Sequence, residues 1–400
     1  MEQILLSESQ KQTSFPTNST IHSPKKYALV LGGGGFRGAF QLGVIEEILE
    51  NGFYDNNGVF IEKPNLSIIS GVSVGALNGA FLAMQNLDGL KQLWNDVINK
   101  GPQEIYHSDI VDIDGSIIKA NVKGIKQKIF GMPIYRLALN YIFRRKKLMQ
   151  KLKGNFDAIV SVVDSSPLNS TLKKNVKKSA FKIPFKMGIV SLIDGEYYSP
   201  EVSDFDTDTD LANAVLASAA LPIIFPYVDK MSFRNKGKKI TLKSVTDGGV
   251  RNISPLNEVI EYIKKNDPNS DYHIIIVNCL ANCEKHTAKD EHFNIASYAL
   301  RVTSDLMSSE IQKNDFSNFT TINKIVKDAL SQGVILKDEN EVSLKYFDYT
   351  IFQPEDPNLP NSDLGSTMDA SKEMLLFRKA YGKKIVQNTF KKTLSPLFEA

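Results

Sequence analysis

The sequence predicts an α/β fold with a mainly parallel central sheet, and three observations carry that prediction. The apolar run Tyr27-Ala28-Leu29-Val30-Leu31 passes straight into four glycines, and an amphipathic segment follows in which Phe40, Val44, Ile48 and Leu49 are apolar. A second apolar run, Leu66-Ser67-Ile68-Ile69, feeds Gly71-Val72-Ser73-Val74-Gly75 and then a segment rich in small residues as far as Gln85. Further on, the strand-like residues 240–246 end at Asp247-Gly248-Gly249. Strand followed by helix, repeated, is the pattern of crossover units that lay strands parallel.

The polar residues 1–25 read as a disordered leader without the basic start and apolar middle of a signal peptide. One domain is expected over residues 26–395, with a basic insertion at about 100–155 and a helical extension at about 284–345. No run has the length of a membrane-spanning helix, so a cytoplasmic protein, in contact with a membrane at most peripherally, is expected. A net charge of +3 is too small to imply nucleic acid. The cysteines are Cys279 and Cys283, the first closing an apolar run, so a reducing compartment fits better than a disulfide framework. His286 lies near them without zinc-ligand spacing; no metal and no cofactor are expected.

Along the chain, Gly52 stops the first helix, and Leu90, Leu93, Trp94 and Val97 mark another. Residues 155–163 read as a strand, and residues 187–193 and 196–199 as a hairpin turning at Asp194-Gly195. A small-residue helix from Leu211 is halted by Pro222 and Pro226. Residues 256–263 read as helix, 272–279 as a core strand, 297–311 as a long amphipathic helix, 346–352 as an edge strand and 370–386 as the last helix.

Three segments carry chemistry. Gly71-Val72-Ser73-Val74-Gly75 has the form of a nucleophile elbow: Ser73 sits at the tip of a sharp turn, and Gly71 and Gly75 let strand and helix close on it. The loop Gly33-Gly34-Gly35-Phe36-Arg37-Gly38 gathers backbone N–H groups at a helix start, where negative charge is held. Its spacing also matches a dinucleotide fingerprint, but that reading needs an acidic residue at the end of the next strand, and here the next strand delivers Ser73. As an oxyanion hole, the same amides would hold the alkoxide formed when Ser73 attacks an ester carbonyl. Asp247, before Gly248 and Gly249, is free to point across the sheet edge, although taken alone it is also a plain Asp-Gly turn.

With these three segments in this order, the chain resembles the patatin-like phospholipases over roughly residues 27–256, supported by Ala217-Ser218-Ala219-Ala220-Leu221-Pro222 and by residues 164–168. The resemblance implies a three-layer α/β/α fold with helical insertions and a lipid acyl hydrolase, phospholipase A or lysophospholipase. Ser73 would be the nucleophile, Asp247 its base and residues Gly33, Gly34, Gly35, Phe36, Arg37 and Gly38 the oxyanion hole, with Arg37 holding the loop's shape. A phospholipid or lysophospholipid is the implied substrate. An aspartate near its ordinary pKa is a feeble base for a serine, so burial must raise its basicity.

Three alternatives stand beside this reading. A Ser-Asp-His set could be completed by His286 or His292, whereas His22, His107 and His273 fall in the leader, a loop and a strand entry. The same fold could serve as a lipid-binding or membrane-docking protein with little turnover, or as a nucleotide-binding protein through its glycine loop. Between Ile117 and Lys153 stand eleven Lys or Arg and no acidic residue, with apolar residues interleaved. That stretch, including Arg144, Arg145, Lys146 and Lys147, fits contact with an anionic membrane or, equally, a solvated helix face.

Overall fold

In the computed structural model the strands are β1 (Lys26–Leu31), β2 (Phe53–Tyr54), β3 (Phe60–Ile61), β4 (Leu66–Val72), β5 (Val111–Asp114), β6 (Ile117–Ala120), β7 (Phe185–Ser191), β8 (Tyr197–Tyr198), β9 (Val228–Asn235), β10 (Lys238–Asp247), β11 (Tyr272–Val277) and β12 (Asp348–Phe352). The helices are α1 (Gly38–Glu50), α2 (Val74–Ala83), α3 (Leu87–Lys100), α4 (Val122–Phe130), α5 (Ser166–Asn175), α6 (Asp208–Ser218), α7 (Leu256–Asn266), α8 (Ile295–Leu300), α9 (Ser308–Ser331) and α10 (Lys372–Leu394). The structure describes residues 25–114, 117–130, 146–147, 150, 153, 155, 159–281, 295–354 and 364–394.

One sheet orders its strands β12-β11-β1-β4-β7-β10-β9, with β8 also on β7, and two short hairpins, β2-β3 and β5-β6, stand apart from it. From β12 to β7 every neighbour is parallel. The sheet then turns antiparallel through β10 and β9. Successive residues of a strand face opposite sides, and β1 shows the result. Leu29 and Leu31 join one apolar cluster with Phe40 and Ile45 of α1 and Leu375 of α10. Ala28 and Val30 join another with Val259 and Ile263 of α7 and Phe319 of α9. Helices thus cover both faces of a mostly parallel sheet, as expected for a three-layer α/β/α protein.

Helix α1 is buried along nearly its whole length because α10 lies directly against it. A Cβ on Gly43 would overlap the backbone of Lys379, and one on Gly382 that of Phe40. The closeness of the two backbones buries Glu46, which pairs with Lys379 at 2.7 Å and Lys383 at 2.8 Å.

Two segments depart from the sequence reading. Residues 159–163 are described and form no strand; instead Val162 and Val163 N–H donate to the carbonyls of Ile223 and Ile224. Those bonds tie the run to the segment that follows α6, outside the sheet. The amphipathic helix expected at 297–311 runs from Ile295 to Ser331, with the seven residues Arg301–Met307 wound as π-helix. The hairpin at Asp194-Gly195 is present as β7-β8. Strand β9, the partner of β10, was not anticipated.

Candidate active site

Strand β4 ends at Val72 and α2 starts at Val74, so Ser73 alone makes the corner, at φ 56 and ψ −129. A positive φ is strained for a serine and persists only where the surroundings impose it. Here they do. A Cβ on Gly71 would overlap the Gly75 carbonyl, and one on Gly75 the Leu31 carbonyl, so strand and helix close tightly around the turn. The Ser73 N–H is held at 3.0 Å by the hydroxyl of Ser218, the last residue of α6.

Asp247 reaches the same place from the antiparallel side. Val72 of β4 pairs with Gly188 of β7, and Asp247 of β10 pairs with Ile189, the next residue along. This register sets the end of β10 beside the elbow. Gly248 then lies where a Cβ would strike the backbone of Gly188. The turn leading out of α6 secures the strand end: Thr246 Oγ1 and Asp247 N–H both donate to the Ala220 carbonyl. Gly249 N–H donates to Asp247 Oδ1 at 2.7 Å. Asp247 is buried, and burial pushes its carboxyl up to about 7, against the opposing pull of the hydrogen bond it accepts from Gly249 N–H and of the nearby Ser73 hydroxyl.

The glycine loop follows β1, which neighbours β4. Among its amides, Gly33 donates to Ile253 O, Phe36 to Thr367 O and Arg37 to Gly34 O. Gly38 N–H is likewise used within the turn. Gly34 and Gly35 remain, both at positive φ, and among the described residues their N–H groups have no partner. Of the six residues expected to form an oxyanion hole, these two can donate outward. Arg37 lines neither of the cavities at Ser73 described below: it is buried, donates from Nε and Nη2 to the Gly365 carbonyl and pairs with Asp305 at 3.1 Å. These contacts tie the glycine loop to the segments around Asp305 and Gly365.

Two cavities meet at Ser73, sharing Gly35, Ala219, Phe225 and Met368 in their walls. One is lined by Leu77, Leu93, Trp94, Val97, Ile105 and Leu168. The other holds Asp247, Gly34, Thr303, Ser304, Ser308 and Thr367.

No described histidine lines either cavity. His273 lies in β11 against Thr350, and burial lowers its pKa to about 4. His107 is exposed and bridges Asp164. His22, His286, His292 and Cys283 lie outside the described residues, as do Arg144 and Arg145; Lys146 and Lys147 are helical and exposed. Cys279 is buried against Gly34, and burial raises its thiol pKa to about 12. No helix of the described residues is long and apolar enough to cross a membrane.

Sequence reasoning assigned no role to Ser218, Ser304 or Thr367. Only Ser218 stood in a quoted motif, and the others reach the site from distant parts of the chain.

A protein of Acanthamoeba polyphaga mimivirus, uncharacterized protein L620, is 25% identical to this chain over 286 residues, covering 61% of the chain and 69% of its own length. The crystal structure of VipD from Legionella pneumophila is similar with a TM-score of 0.36 and 15% identity, over 93% of this chain and 68% of VipD. The family model for patatin-like phospholipase matches residues 29–260, which include the glycine loop, the elbow and the aspartate. The chain therefore belongs to the patatin-like phospholipase family of lipid acyl hydrolases.

Proposed function

We propose that this protein is a serine hydrolase that cleaves acyl esters of phospholipids or lysophospholipids with a dyad of Ser73 and Asp247. One observation supports the reading: the strained Ser73 lines the same cavity as Asp247, a buried carboxyl whose pKa is pushed up to about 7. A base of that strength, unlike an ordinary aspartate, matches the pH at which it would work.

Ser73 passes its proton to Asp247 as its oxygen attacks the ester carbonyl. The alkoxide that forms is held by the Gly34 and Gly35 amides. The alcohol leaves with the proton from Asp247, and Ser73 keeps the acyl group. Water then attacks the acyl-enzyme, giving its proton to Asp247, and the acid departs as Ser73 recovers its hydrogen. The apolar cavity beyond Leu77 and Trp94 accommodates the acyl chain. The alkoxide would also face the N-terminal end of α2, where the helix dipole favours negative charge.

Hydrolysis of a p-nitrophenyl ester by the wild type, Ser73→Ala and Asp247→Ala tests this directly. Losses of about a thousandfold or more in both variants are expected. Equal rates in all three would favour a lipid-binding protein without turnover.

A further inference from the structure

Residues 364–369 lie against the glycine loop as a strap, and a side chain outside the site holds that strap in place. Gly365 O accepts from Arg37, at 3.2 Å from Nε and 2.8 Å from Nη2, and Thr367 O accepts the Phe36 N–H at 2.9 Å. Leu364 O, Ser366 O and Asp369 O accept instead from Arg378 of α10, at 2.7 Å from Nε, 2.9 Å from Nη2 and 2.8 Å from Nη1. Consecutive carbonyls from residue 364 to 367 therefore alternate, one bonded to Arg378 and the next to the glycine loop.

Arg378 is fully buried, and burial, together with the charge of Arg37, pushes its pKa down to about 9. A charge in that position is costly unless its donors are used. What it supplies, and an apolar side chain could not, is direction: a planar fork fixes the carbonyls it bonds. Gly365 fits this contact closely. It sits at φ 69, and a Cβ there would come within 2.9 Å of Arg378 Nη2. On its other side the strap reaches the reaction centre. A Cβ on Gly35 would overlap the Thr367 carbonyl, and Thr367 and Met368 line the cavity that holds Ser73 and Asp247.

We propose that Arg378 is a positioning residue for the oxyanion hole. Through the strap it fixes the backbone of Gly34, Gly35 and Phe36, so that the Phe36 N–H is occupied while the Gly34 and Gly35 amides stay free to face Ser73. A strap that drifts releases the Phe36 N–H and lets the neighbouring peptides turn. The loss of one such donor costs about 10²–10³ in rate, and misplacement by ~1 Å costs about 10². The proposal rests on the ester-hydrolase reading of Ser73, and its test separates the two.

Arg378→Lys keeps a charge but replaces the fork with a single nitrogen. Gly365→Ala keeps the fork and pushes the strap off it, and it carries the test alone should Arg378→Lys fail to fold. Both are expected to lower kcat for a p-nitrophenyl ester about tenfold or more while KM changes less than about threefold. Glu46→Gln loosens the same pair of helices without touching the strap, and is expected to keep the wild-type kcat. A wild-type kcat in Gly365→Ala, or an equal loss in Glu46→Gln, overturns the proposal. Hydrogen–deuterium exchange read by mass spectrometry needs no turnover. It is expected to speed up at residues 33–38 and 364–369 in the strap variants and to stay unchanged at residues 66–83. Unchanged exchange at residues 33–38 also overturns the proposal. The expected exchange pattern in a protein whose wild type hydrolyses no ester would count against the hydrolase reading alone.

Discussion

The backbone N–H of Ser73 donates to the hydroxyl of Ser218, 145 residues further along the chain, at 3.0 Å. Ser218 is fully buried, so this bond holds the elbow in its left-handed conformation from the side of α6. Replacing Ser218 with Ala leaves a buried N–H unpaired, which costs about 1–3 kcal/mol. The expected outcome is a lower melting temperature together with a reduced kcat and little change in KM, because the acyl cavity stays intact. Steady-state kinetics beside a thermal melt checks it; a kcat equal to that of the wild type would separate the hydroxyl from catalysis.

On the mechanism proposed above, Asp247 links activity to pH. Its carboxyl must be ionised to accept the serine proton, so kcat/KM is expected to fall as pH drops below about 7. A pH–rate profile with its acid limb near 4 would place the base elsewhere.

The same shift makes a stability prediction. The folded protein holds the Asp247 proton up to about pH 7, whereas the unfolded chain releases it near 3.8. Stability contributed by this group is therefore complete below pH 3.8 and declines as pH rises to about 7, by roughly 4 kcal/mol in all. Asp247→Asn carries no charge to lose. It is expected to be inactive yet to melt higher than the wild type at pH 8, with the gap closing near pH 4. Melting curves at the two pH values decide the matter.

Glu46 behaves with the opposite sign. Burial raises its pKa, but the hydrogen bonds and charges of Lys379 and Lys383 outweigh this and hold it below the ordinary value. Its contribution is present above the unfolded pKa near 4.5 and is lost as pH falls through the lower folded one. Glu46→Gln is expected to cost on the order of 1–3 kcal/mol at pH 7, and less in acid. Denaturant unfolding at pH 7 and pH 3 would show the difference.

The basic stretch supplies a prediction independent of the site. Replacing Arg144, Arg145, Lys146 and Lys147 with Gln is expected to weaken binding to anionic vesicles and to leave cleavage of soluble esters unchanged. Vesicle sedimentation with and without phosphatidylserine checks it, and unaltered binding would mark the segment as a solvated face.

The elements that surface in the sequence are those whose causes are local. Residues 27–31 and 66–69 are apolar runs, Gly71 and Gly75 are needed within four positions of one another, and Asp247 ends a strand with glycines behind it. The rest depends on contacts between distant segments. Which glycine-loop amides stay free is decided by Ile253 and Thr367, and neither position is marked in the loop's own sequence. The partner of Arg37 is Asp305, inside a π-helical stretch whose residues read simply as helix. The apolar run ending at Val163 has the composition of a strand, but its N–H groups go to Ile223 and Ile224, and pairing of that kind leaves no periodic trace.

The π-helical turn at Arg301–Met307 has a practical consequence for anyone trimming this protein. It lies beyond residue 260, where the family match ends, yet through Asp305 it grips the guanidinium that braces the glycine loop. Strands β11 and β12, which extend the sheet alongside β1, lie beyond that point as well. A fragment cut at the family boundary would keep Ser73 and Asp247 but strand Arg37 without the counter-charge of Asp305, and so would not be a minimal folded unit.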